Sequence, residues 1–499
     1  MTNRFLYSYK STSVFYFVVV LANIVLLGSY LNLLLTILQY ILVLWTIRRR
    51  NINEAIFLHF SFIMTSIAPT SLLSAIDNVS IPLMSYARVK IGPVCFHYLI
   101  SFFLLAITAK KHILMNRRTL FFKLFIIFMV LAVTGAFLGL FGFLFDDYYE
   151  FSGVLLYGTY MIIVLINMYI LIKNHSPELQ TLFYNSLPPI LGSGILATAF
   201  AYFILGISGA YADLNMVLQP EIVYFGIIFF LGYFESRYKK YVLIVSIIYI
   251  AINLIGASGH MILVIAIGLL YFLYYTYFSS EYKSNYPKLI KRSRKIFIIL
   301  IPLIVVFLLV AVDIGDLFII KLNNVFSLFS TNLDDVGTSP YVRIATTMNI
   351  WDNNIHNPIG LLFGQGYGGY FTDSLHMFDG LGDLTDGGWP EKDVQTGRFT
   401  RGHDTTAVVP LLHGFGGLAI LLWICFKYAK FTGRSYMAYA IYPWIIFTFY
   451  YNIQYAIIGI AFLYASEIVD STQSNKKRNN QIKNKSGDDK GLLFYEQRC

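Results

Sequence analysis

The chain reads as a succession of long apolar runs separated by short polar connections. The runs occupy 12–29, 31–47, 55–76, 91–109, 121–145, 152–172, 184–207, 219–235, 241–257, 261–279, 296–313, 407–426, 435–451 and 453–467. Most of them match the roughly 17–25 residues that an α-helix needs to cross a hydrocarbon core. The pattern predicts an all-α polytopic membrane protein with about fourteen transmembrane helices and both termini on one side. The first run leads directly into the second through Gly28-Ser29-Tyr30, as a retained signal anchor would rather than a cleaved leader.

Composition settles a conflict with length. A chain of 499 residues would suggest about three soluble domains. Hydrophobic residues make up 57% of it and charged ones 13%, about half the charged share of a soluble domain. That leaves too little polar surface to clothe several soluble cores. The net charge of +10 would suggest nucleic-acid binding in a soluble protein. Its distribution points elsewhere. Arg48–Arg50, Lys110–Lys111, Arg117–Arg118, Arg237 with Lys239–Lys240, Lys288 to Lys295, Lys427 to Arg434 and Lys476–Arg478 fall on alternate connections. Thirty of the 37 Lys and Arg lie on that side, which the positive-inside rule makes cytoplasmic. The expected topology is multi-pass with both termini in the cytoplasm, and no nucleic-acid partner is expected.

One connection breaks the pattern. Between the eleventh and twelfth runs, residues 313–406 form an extracytoplasmic loop with twelve acids and five bases, a net charge of −7. Loops this long inside a compact protein are functional or disordered. The aromatics Trp351, Tyr367, Tyr370 and Trp389 favour order, since disordered segments are poor in them. The predicted organisation is helices one to eleven in 1–312, a cap in 313–406 that is partly helical around Ser339–Asn353, three further helices in 407–467, and a cytoplasmic tail in 468–499.

Two stretches of this loop carry a resemblance. The first holds Ser339-Pro-Tyr-Val-Arg343, Trp351, and Asn357-Pro-Ile-Gly-Leu-Leu-Phe-Gly364-Gln-Gly366-Tyr-Gly368. The second holds Arg401-Gly-His403-Asp404, then Pro410, Gly414 and Gly416-Gly417. Together they resemble the O-antigen polymerase/ligase family of bacterial envelope proteins. There an Arg and a Trp on a helix precede a Gly-rich turn, and a His-Asn or His-Asp pair opens a Gly-containing transmembrane helix. The local matching covers about residues 339–420, and the rest matches in layout. The resemblance implies a GT-C-like glycosyltransferase of the bacterial inner membrane that moves a growing glycan from undecaprenyl pyrophosphate to a sugar hydroxyl of a second lipid-linked repeat unit. It implies catalytic roles for Arg343 and His403 in particular. It also implies a chain-length regulator as a partner beside the bilayer and the two lipid-linked oligosaccharides. A polymerase is favoured, with a ligase delivering polymer to lipid A core and a flippase or other transporter as the alternatives.

The residue types suit that chemistry. An Arg fork binds pyrophosphate oxygens bidentately, and its grip strengthens as negative charge develops on the leaving group. An acceptor hydroxyl needs a base near neutral pH, a role fitting His or a carboxylate. Arg343 with Arg401 or Arg398 supplies the first part, and His403 the second. Asp404, in place of the commoner Asn, either orients His403, shares its proton, or simply caps the twelfth helix. Trp351 and Gly366 complete the predicted binding set. The Gly364/Gly366/Gly368 spacing lacks the dinucleotide fingerprint and its βαβ context, so it forms a tight turn or donates amides to phosphate. Arg88, with Lys90, stands outside against the charge trend and contacts either a lipid carrier or ordinary headgroups. Where the family carries an outer Arg, this chain has Gly256-Ala-Ser-Gly-His260, so His260 is the candidate phosphate contact there. Glu221 and His97 are ionisable groups at or inside the membrane, and such groups are functional hypotheses by default.

Other chemistry is not supported. Cys95, Cys425 and Cys499 form neither a disulfide framework nor a metal motif. Asp373, Asp379, Asp383 and Asp386 match no EF-hand spacing. Neither a metal nor a cofactor is expected.

Overall fold

The computed structural model describes residues 9–26, 29–66, 85–91, 94–206, 241, 244–245, 248, 338–379, 381, 384, 389–402, 405–431, 450, 453–454 and 456–465. The chain is mostly helical, 75%. Among the described residues four helices are long and apolar enough to cross a membrane. It is a helical membrane protein. The predicted runs at 219–235, 261–279 and 296–313, nearly all of 241–257 and 435–451, and the part of 55–76 beyond residue 66 lie outside the described residues, as do 314–337 and the tail from 466.

The elements are α1 (Tyr9–Val25), α2 (Tyr30–Arg48), α3 (Ile52–Met64), a hairpin of β1 (Lys90–Ile91) and β2 (Val94–Cys95), then α4 (Phe96–Thr108), α5 (Leu120–Phe145), α6 (Phe151–Lys173) and α7 (Pro177–Phe203). After them come α8 (Thr338–Ile355), α9 (Pro358–Phe363), β3 (Phe371–Thr372), α10 (Glu391–Thr396), β4 (Arg398–Phe399) and α11 (Thr405–Phe431), followed by α12 (Ala456–Ala465). The two antiparallel pairs, β1–β2 and β3–β4, are small departures from an all-α chain.

Several predicted boundaries shift for local reasons. The run at 91–109 begins its helix only at Phe96, because Lys90 pairs with Cys95 and Ile91 with Val94 in the hairpin. The run at 55–76 is helical from Ile52, where the Asn51 side chain caps the Glu54 amide, and ends at Met64. Pro188 and Pro189, of a residue type that interrupts helices, sit inside a helix that continues from Pro177 to Phe203. The break occurs instead in α11, at Gly414 (φ 67°, ψ −179°).

α5 shows how sequence becomes packing. Thr119 accepts the Phe122 amide at its start. Phe121, Leu124, Phe128, Leu131, Gly135 and Gly139 are its buried stripe, the spacing that places residues on one helical face. Val133, Phe137, Phe141 and Leu144 point outward and are exposed, as lipid-facing residues are. At one end of the bundle Lys111 donates to Asn174 at 2.6 Å, and Lys173 donates to the Ala109 and Lys111 carbonyls. At the other end the α5–α6 turn meets the segment that follows α8.

Candidate functional site

The site is built where this cap meets the broken helix. The inward face of α8 is tied down by asparagines. Asn349 donates to Asp373 at 2.7 Å and accepts from the Leu375 amide. Asn353 donates to the Thr372 carbonyl and accepts from the Thr372 amide. Asn354 donates to the Pro410 carbonyl and accepts from Gln365. Asp373 also accepts the Met377 and Phe378 amides at 2.9 and 2.8 Å. Its carboxylate organises this loop through backbone donors.

The glycine-rich turn enters the bundle from here. Gln365 and Gly366 donate their amides to the Leu411 and Leu412 carbonyls at 2.7 and 3.2 Å, and Tyr367 donates to the Gly135 carbonyl at 2.9 Å. A helix interrupted at Gly414 leaves carbonyls of its preceding turn without intrahelical partners, and the turn supplies donors to them. The approach is close enough to require glycine on both sides. A Cβ on Gly139 would lie 2.1 Å from the Tyr367 carbonyl oxygen, and one on Gly153 2.7 Å from the Gly368 Cα. Of the two expectations for this run, the tight turn is what the geometry displays. The Gly366 amide points at Leu412.

Beneath the turn lies a polar cluster that no sequence motif signals. His413, one residue before the break, is buried, and its Nε2 pairs with the Tyr450 hydroxyl. Tyr367 packs edge-on against His413 at 5.6 Å between centroids. Tyr157 faces both Tyr367 and Tyr450 at 6.1 and 6.0 Å, and Tyr160 faces Tyr450 at 5.7 Å. The row extends toward Tyr98, within electrostatic reach of Tyr160. Arg88 acts electrostatically on His97 and Tyr98, and Arg401 on Tyr157 and Glu150.

At the outer edge, Lys392 donates to Glu150 at 2.6 Å. The Lys392 ammonium, hydrogen-bonded to Glu150, holds that carboxyl below its usual range. Arg398 lies over the Tyr148 ring, with Tyr370 beside it, and its Nη1 is buried with no hydrogen-bond partner. Tyr370 donates to Asp146 at 3.0 Å. Tyr149 donates to the Gln365 carbonyl at 2.8 Å, and burial pushes its phenol pKa up, with Asp146 adding to the shift.

The predicted residues divide accordingly. Arg398 and Arg401 share the corner formed by the α5–α6 turn. Arg401 is exposed, and its carbonyl accepts the Trp389 indole N–H at 3.1 Å. Arg343 is half-buried on α8. Trp351, on the same helix, sets its ring edge-on to Phe415 at 4.2 Å. Arg88 is half-buried, two residues after Tyr86, whose hydroxyl meets His59 Nδ1 at 2.9 Å. His260, His403 and Asp404, with Glu221, Asp383 and Asp386, lie outside the described residues. His413 and Tyr450 were missed by motif reading. The rule that singled out His97, an ionisable group inside an apolar run, applies equally to His413. Among the described residues no three His, Cys, Asp or Glu converge as a metal set.

Comparison of the chain with protein-family models and with curated proteins gives no match.

Proposed function

We propose that this protein is a membrane glycosyltransferase of the O-antigen polymerase type, working at the extracytoplasmic face of a bacterial inner membrane. The observation that supports the reading is the interlock of the two stretches carrying the resemblance. The turn after Arg343 and Trp351 donates from Gln365 and Gly366 into Leu411 and Leu412, a few residues beyond Arg401-Gly-His403-Asp404. Two motifs separated by a long loop thus share one corner of the molecule.

In the proposed reaction the bond from the glycan's anomeric carbon to undecaprenyl pyrophosphate breaks as the acceptor oxygen bonds to that carbon. The acceptor proton passes to His403, with Asp404 as its companion, and undecaprenyl pyrophosphate departs. Arg343, Arg398 and Arg401 meet the developing pyrophosphate charge, a role for fixed donors at the point where charge appears. Arg88 and His260 are further candidate contacts for the lipid carrier. A transport reading would need open helix ends to bind an ion or substrate. Among the described residues, the carbonyls ahead of the Gly414 break are instead filled by the glycine turn, which supports the enzyme reading over transport.

The test is the glycan made by a strain lacking the protein and carrying variants. Arg343→Ala and His403→Ala are expected to leave one repeat unit on lipid A core while the protein inserts normally. Arg343→Lys keeps the charge and loses the fork, so it is expected to remain defective. Normal long chains from both alanine variants would overturn the assignment. Full-length polymer stranded on undecaprenyl pyrophosphate would identify a ligase.

A further inference from the structure

α8 is an inside-out helix. Tyr341, Ile344, Met348, Trp351 and Ile355 recur at steps of three and four, so they share one face. From Met348 onward that apolar face is turned outward: Met348, Trp351 and Ile355 are 43%, 46% and 47% exposed, while Tyr341 packs partly against the core. The opposite face buries Ala345, Thr346 and Asn349 and includes Asn353, and the two asparagines bond inward to the cap. Val342 and Ile350 are buried with them, so the inner face is mixed, whereas the outer one is apolar and bordered by the Asp352–His356 pair. A helix at a water boundary shows the reverse arrangement, with its apolar stripe toward the core.

α9 continues the same surface. Ile359, Leu362 and Phe363 are 62%, 55% and 50% exposed. The surface also joins that of a helix with membrane-spanning length and apolarity. Trp351 touches Phe415, and Leu362 packs so closely on α11 that a Cβ at Gly416 would lie 2.5 Å from its carbonyl oxygen. α11 is long and apolar enough over 407–424 to cross a membrane and exposes Ile420, Leu422 and Trp423 farther along. An apolar patch continuous with a lipid-facing helix has the same solvent as that helix. The helical backbone satisfies its own polar groups, which hydrocarbon requires, and Trp favours the hydrocarbon–headgroup boundary.

We infer that α8 and α9 are immersed in the bilayer leaflet on the cap's side, with Met348, Trp351, Ile355, Ile359, Leu362 and Phe363 against acyl chains. The cap is thus a partly embedded element, where the loop pattern alone predicts a cover lying on the bundle. This inference does not depend on the proposed glycosyl transfer.

The test uses full-length protein in phosphatidylcholine vesicles, comparing wild type with Trp351→Phe, whose difference emission isolates Trp351. Brominated acyl chains are expected to quench most of that component, and aqueous iodide to leave it nearly unchanged. Quenching by iodide but not by brominated lipid would place the face in water and overturn the proposal. Protection from both would mean that protein covers it, a second copy included, and would overturn it too. A spin label at Ile359→Cys, with Cys95, Cys425 and Cys499 changed to Ser, reads the same face independently of Trp351. Its collisions with oxygen are expected to exceed those with a water-soluble nickel complex; the opposite order would sink the idea.

Discussion

Gly364 and Gly414 meet backbone against backbone. A Cβ on Gly364 would stand 2.5 Å from the Gly414 nitrogen, and one on Gly414 would stand 2.6 Å from the Gly364 nitrogen. Their dihedrals, 74°/−168° and 67°/−179°, lie in a region that essentially only glycine enters. The sharp end of α9 and the break in α11 are one joint.

Substituting either glycine adds backbone strain to a steric clash. Gly414→Ala is therefore expected to cost about 3 kcal/mol or more. Gly397 is the contrast. It also has positive φ, but nothing lies within 4 Å of where its Cβ would be, so Gly397→Ala is expected to cost about 1 kcal/mol. Unfolding of the purified protein in mixed micelles of increasing denaturing detergent measures both; equal costs would refute the joint.

The Glu150–Lys392 pair ties the α5–α6 turn to α10. The Glu150 carboxyl is held below its ordinary value by the Lys392 hydrogen bond. Its contribution is present above the ordinary carboxylate pKa of about 4.3 and is lost as pH falls through the lower folded value. Lys392 is raised by the same hydrogen bond, so its share is lost only as pH rises through the folded value, above the usual lysine value of about 10.4. Amide exchange over 391–399 should speed up on acidification below that carboxylate value and in high salt. Glu150→Gln should abolish the acid-induced change.

Asp373 accepts two backbone amides and the Asn349 side chain. Asp373→Ala would strand these donors, an expected loss of about 1–3 kcal/mol. Limited proteolysis should then cut near 374–378 while the membrane helices stay intact. An unchanged digestion pattern would show that another group holds this loop.

Tyr450 is the partner of His413 inside the bundle. Tyr450→Phe keeps the ring packing and removes the hydroxyl, with an expected cost on the order of 1 kcal/mol. His413→Phe should cost less when Phe already occupies position 450, because the pair acts together. A double-mutant cycle in the same micelles checks this. Strict additivity would show that the contact carries no energy.

Much of the helical frame was legible because apolar runs of membrane length have few alternatives. Tyr30–Arg48, Leu120–Phe145 and Phe151–Lys173 lie within two residues of the predicted runs. The helix predicted around Ser339–Asn353 is there as Thr338–Ile355. The break in α11 was not legible. Leu411 to Trp423 is apolar throughout apart from His413, and hydropathy does not register dihedrals. Nor was the hairpin at 90–95, which interrupts a run that composition alone would continue. At the candidate site, Arg398 and Arg401 were visible as bases in an acidic loop. The His413–Tyr450 pair was not, since its members are 37 residues apart and a period-based reading links only near neighbours.

The glycine turn also sets an order in time. Residues 364–369 leave the ribosome before 405–431, so the Gln365 and Gly366 amides exist before the Leu411 and Leu412 carbonyls that accept them. The cap can meet α5 and α6 as it is made, but it cannot complete its seating. Its seating waits for α11 to be synthesised and to enter the membrane, which makes it a late, post-insertion event.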